Sequence, residues 1–181
     1  MRSRDIAVAA AILAYAGAGA AKAQMGILDE VKLGVLDHDA PIGADHRERG
    51  ADINAEALFV SPGFLAPVWA PRPDVGVNIN SLGKTSYAYA GLTWAANFSP
   101  VCFADLSVGG AIHDGPDTVS INTRDHKGLG TRVLFHESVE VGYRFTPQWS
   151  FAVFLDHVSN AGLGSQNPGI TNVGGRVGYK F

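Results

Sequence analysis

The chain has 181 residues, a formal net charge of −3 and only 17% charged side chains. That balance suits one domain and gives no electrostatic case for nucleic acid as a partner. Its single cysteine, Cys102, excludes an internal disulfide and any cysteine-based zinc site, and a lone thiol is expected as a small buried or lipid-facing residue.

The first segment predicts an export signal. Arg2 and Arg4 form a basic start, residues 6–20 read IAVAAAILAYAGAGA, and AKA at 21–23 fits a small-residue cleavage pattern. Residues 1–23 are therefore expected to be removed, leaving 24–181 as one domain exported to the periplasm or outer membrane. No run of 18 apolar residues follows residue 23, which excludes a spanning helix there. Mean hydropathy is nevertheless slightly positive, at +0.08.

Period-two alternation accounts for that apolar content. Val31, Leu33 and Val35 alternate with Glu30, Lys32 and Gly34 in 30–36. Ile53, Ala55, Ala57 and Phe59 do so in 52–59, and Val75, Val77 and Ile79 in 75–80. The pattern returns in 87–98 with Leu92, Trp94 and Phe98, and in 102–113 with Leu106, Val108 and Ile112. It closes with Phe135, Val139, Val141 and Tyr143 in 135–145, Phe151, Val153 and Leu155 in 149–157, and Val173, Val177 and Tyr179 in 172–181. This predicts eight strands. The polar face carries both signs of charge, in Glu56, Asp105, Glu140, Arg144, Arg176 and Lys180. Two architectures alternate in this way, a soluble β-sandwich and a transmembrane barrel with a polar lumen. Several strands reach the ~9–11 residues a tilted membrane strand needs, and aromatics (Trp69, Trp94, Phe98, Phe145, Trp149, Tyr179, Phe181) recur near strand ends as in an interfacial girdle. The expected fold is an all-β, eight-stranded antiparallel transmembrane β-barrel. The C-terminal strand, ending on Phe181, resembles the assembly signal of bacterial outer-membrane barrels.

With both termini periplasmic, connections 38–50, 81–86, 114–130 and 159–171 face outside, and 60–73, 99–100 and 146–148 are inner turns. The Pro-rich inner connection SPGFLAPVWAPRP at 61–73 is longer than the rule predicts, with Trp69 as an interfacial anchor. The first and third outer loops, with His38, Asp39, Asp45, His46 and Glu48, and Asp114, Asp117, Arg124, Asp125, His126 and Lys127, are expected to be solvated. Their spacing is diagnostic of no metal, and Arg47, Arg49, Arg124 and Lys127 could pair with phosphates of lipid headgroups.

The stretch DHVSNAGLGSQNPG at 156–169 carries chemistry. His157 shares parity with Leu155, and Ser159 follows if the strand continues, so both point toward lipid. Two residues along a strand separate their Cβ atoms by about 6.5–7 Å, within reach of an imidazole and a hydroxyl, the pairing that activates a serine for acyl transfer. Glu137 interrupts the apolar face of the neighbouring strand. If the tight turn at 146–148 pairs Phe145 with Trp149, Glu137 lies opposite His157, as orienting acid or as a side chain snorkelling to the rim. Asn160, Asn167 and glycine N–H groups of the loop could hold an oxyanion, and NPG alone is an ordinary β-turn.

HVSNAGLGSQNPG, together with FHESVEVGYRF at 135–145, resembles the signature of the lipid A 3-O-deacylase (PagL) family. The resemblance implies an outer-membrane barrel that hydrolyses the ester at position 3 of lipid A, with Ser159 as nucleophile, His157 as base, and Asn160, Gly162 and Asn167 as site neighbours. It implies lipopolysaccharide in the outer leaflet as substrate and no cofactor. A homodimer is a further expectation. One position departs from the family pattern: Thr171 stands where the triad glutamate is expected. Either Glu137 substitutes, or the site is a dyad, or activity is weak or lost. The alternative function is a structural or lipid-binding barrel.

Overall fold

A computed structural model of the chain describes residues 26–42, 48–120 and 125–181. The expected leader, and Asp45, His46, Arg47 and Arg124 of the outer loops, lie outside the described residues. These residues form eight strands: β1 (Leu28–Asp37), β2 (Ala51–Phe59), β3 (Arg72–Asn80), β4 (Tyr87–Asn97), β5 (Cys102–His113), β6 (Val133–Arg144), β7 (Trp149–Ser159) and β8 (Ile170–Lys180). Every neighbouring pair is antiparallel, and β1 pairs with β8 to close a barrel. Closure leaves no unpaired sheet edge, as a bilayer requires.

Alternation sets the two faces. Leu33, Val35, Ile53, Leu106, Val139, Val141, Phe151 and Val153 are exposed on the outer wall. Inward side chains form a filled polar lumen. Lys32 donates to Asp105 at 2.7 Å and to Glu140 at 2.6 Å, and Arg176 pairs with Glu140 and Glu56. Farther along, Asn78 and Tyr87 both donate to Asp156, at 2.7 and 2.5 Å. At the loop end Leu129 of the β5–β6 connection joins Leu134, Val158 and Ile170 in an apolar cluster over this network.

The turn end holds connections 60–71, 98–101 and 145–148, and the loop end holds the rest. The first and third loops are solvated only in part: Asp114 and Asp125 are exposed as expected, but four of the named residues are not. His38, Asp39, Glu48 and Lys127 are buried, because they satisfy one another: His38 bonds Asp52 at 2.9 Å and Glu48 at 3.1 Å, and Lys127 pairs with Asp39. Lys127 is therefore withdrawn from the headgroup surface, whereas Arg49 stays exposed.

Candidate active site

Strand β7 runs on through Ser159, two residues beyond the expected end, so His157 and Ser159 are carried by one strand and share its outer face. Both are half-buried, between inward residues Asp156, Val158 and Asn160, which are buried. The short turn after β6 fixes the register: Glu137 lies directly across from His157, and Phe135 across from Ser159. Glu137 is exposed on that wall.

The other flank of His157 is β8, where Thr171 stands opposite it. The imidazole Nδ1 lies 2.8 Å from the Thr171 hydroxyl. Thr171 thus occupies the place of an orienting acid geometrically, although it brings no charge. Sequence alone places Thr171 only as a missing carboxylate, since a hydroxyl partner carries no recognisable signal. The ring is also walled by the NPG turn. Gly169 has φ +61°, and a Cβ there would come within 2.7 Å of the His157 Cε1, so the turn approaches the imidazole as closely as glycine alone permits.

The connecting loop is tied by Asn160. Its amide nitrogen donates to the Leu129 and Gln166 carbonyls at 2.7 and 2.6 Å, and its Oδ1 accepts the Gly162 N–H at 2.8 Å. Its own N–H goes to Asn167 Oδ1 at 2.9 Å. Asn160 and Gly162 therefore spend these donors inside the loop. Asn167 is exposed, and its amide nitrogen makes no hydrogen bond among the described residues. Two other loops clamp the turn and Thr171. Lys127 Nζ donates to the Gly169 carbonyl at 2.9 Å, and Ala40 N–H donates to the Thr171 carbonyl at 2.7 Å.

A base and a hydroxyl on a lipid-facing wall, beside a preformed loop, suit attack on an ester held in the membrane. The family model described as lipid A 3-O-deacylase (PagL) matches residues 65–180, more than half the chain. The chain belongs to the lipid A 3-O-deacylase family. Its place is the outer membrane. The fold agrees: a structure titled as the crystal structure of the outer membrane enzyme PagL aligns with TM-score 0.62 and 16% identity, covering 84% of this chain and 99% of that one. A de novo designed transmembrane β-barrel aligns with TM-score 0.54 and 15% identity, covering 86% and 96%. No curated protein matches the chain.

Proposed function

We propose that this lipid A 3-O-deacylase works as a serine esterase whose imidazole is oriented by a hydroxyl. The observation that carries the reading is the His157–Thr171 hydrogen bond at 2.8 Å. With Nδ1–H donating to Thr171, Nε2 keeps its lone pair for Ser159. Ser159 Oγ attacks the ester carbonyl as its proton passes to Nε2. The imidazolium then returns that proton to the 3-oxygen of the sugar as the C–O bond breaks. Water, deprotonated by the same nitrogen, releases the fatty acid from Ser159. Asn167 supplies an amide N–H to the oxyanion, while Asn160 and Gly162 hold the loop that presents it. Glu137, across the ladder from His157, adds negative charge near the imidazolium without taking Nδ1.

The substrate ester lies in the outer leaflet at the loop end, and residues 1–23 act as the export signal that takes the chain there. One chain suffices: Glu137, His157, Ser159 and Thr171 sit on three adjacent strands, and the expected homodimer has no part in the chemistry. Mass spectrometry of lipid A from cells expressing the protein tests this reading. Loss of the 3-O acyl chain is expected with the native chain, and none with Ser159→Ala or His157→Asn. Activity retained in Ser159→Ala would remove the serine mechanism. Glu137→Gln is expected to slow the reaction several-fold, and full activity there would strike Glu137 from it.

A further inference from the structure

The catalytic end leaves the β2–β3 connection unexplained. It carries a short 3-10 helix, Gly63–Val68, none of whose residues is buried. Phe64 is 80% exposed and Trp69 88%, and Val60 and Val68 are exposed beside them. No charged residue occurs from Val60 to Pro71. In water, such a surface would be an unmet liability.

Its position decides what covers it. The Trp94 indole N–H donates to the Val68 carbonyl at 2.8 Å. Trp94 follows Thr93, which is buried and bonded to Asp74 in the lumen, and it pairs across the ladder with exposed Leu106. The indole therefore points out of the barrel, and the carbonyl it holds lies outside the wall. The connection folds back over the outer face at β4 instead of closing the lumen. Trp69 and Ala70 then reverse the chain with φ of 65° and 48°. Residues other than glycine rarely adopt the left-handed conformation, and here two in succession return the chain to β3 with the Trp69 ring left uncovered.

The same rim carries Trp149, Tyr179 and Phe181, whose rings meet edge-on at 4.9 and 5.1 Å. An uncharged aromatic segment continuous with a lipid-facing wall, at the level of an aromatic girdle, has the chemistry of an interfacial insertion. We propose that residues 60–71 form a membrane foot: Phe64, Val68 and Trp69 enter the phospholipid leaflet at the turn end, beside the wall at β4. Continuity with the lipid-facing wall through Trp94 selects phospholipid over a second copy of the chain. The proposal rests on the barrel, not on the serine mechanism.

The chain has three tryptophans, so Trp94→Phe with Trp149→Phe leaves Trp69 as the sole reporter. The full-length protein is folded into phosphatidylcholine vesicles, with and without lipids brominated high on the acyl chain. The expected result is a blue-shifted Trp69 emission that brominated lipid quenches and that iodide, present on both sides, does not. Because Trp94→Phe also removes the bond to Val68, the difference spectrum between the native chain and Trp69→Phe is recorded too, and it decides if the two disagree. Emission at the wavelength of free tryptophan with iodide quenching would overturn the foot. So would emission indifferent to both quenchers together with a chemically crosslinked dimer, which would give the surface to a second copy.

Discussion

In the proposed mechanism the chemistry turns on Thr171. A hydroxyl at 2.8 Å from Nδ1 fixes the ring, but it cannot stabilise the imidazolium as a carboxylate does. In a serine protease triad, replacing the orienting carboxylate costs about 10⁴-fold in rate, so a threonine-held base is a slower one. Thr171→Glu, at a position already facing the ring, is expected to raise the rate of 3-O deacylation by about tenfold or more. Thr171→Val, which keeps the shape and loses the oxygen, is expected to lower it. Steady-state release of fatty acid from purified lipid A in micelles measures both. Equal rates in all three forms would show that Nδ1 needs no partner here. Asn160 teaches a related point. Its side chain has a polar atom at every position the loop needs, and a motif read as catalytic is in part the knot that shapes the loop.

Elements at the loop end act as straps. Lys127 reaches from the β5–β6 connection to Asp39 after β1 and to the Gly169 carbonyl, beside His157. Lys127→Met takes the ammonium from a buried carboxylate, a loss on the order of 3 kcal/mol in local stability. The expected outcome is fast hydrogen exchange in 38–42 and 160–169, protected strands, and a lower kcat. Unchanged kcat with loosened loops would separate the strap from the catalyst. The His38–Glu48 contact in the same layer gives a pH window. Burial pulls the His38 imidazole down, but hydrogen bonds and charges from Asp52 and Glu48 lift it to about 9. Burial pushes Glu48 up, but hydrogen bonds from His38, Lys127 and Thr85 hold it down to about 2. A raised imidazole stabilises fully below its free value near 6.5 and loses that stabilisation as pH rises through about 9. A lowered carboxylate stabilises fully above its free value near 4.5 and loses it as pH falls through about 2. Exchange protection of the first loop, corrected for intrinsic rates, is therefore expected to be greatest from about pH 4.5 to 6.5 and to fall as pH rises through about 9. A flat profile would deny His38 this role. None of these straps is legible in the sequence. Alternation says which face a residue takes, so all eight strands and the Glu137–His157 register follow from parity and one tight turn. It does not say which charge meets which, because those partners come from loops and strands far apart in the chain.

The whole barrel divides labour between its faces. The proposed site lies on the outer wall of β6–β8, while the buried charge network fills the lumen. Arg176 is central to that lumen. It bonds Glu140 through Nε at 2.5 Å, Glu56 at 2.9 Å and Asn54 at 3.2 Å, and its guanidinium lies 3.5 Å from the centre of the Phe154 ring. Arg176→Met removes the cation from two buried carboxylates, of which Glu140 keeps Lys32. Breaking one partner of such a set costs about 3–5 kcal/mol. The folded form is therefore expected to lose its heat-modifiable gel migration at a lower temperature than the native chain. Deacylation per folded molecule should stay the same, since His157 and Ser159 face away from the lumen. A fall in kcat at full folding would mean that lumen and outer wall are coupled through β8, where Arg176 and Thr171 share one strand.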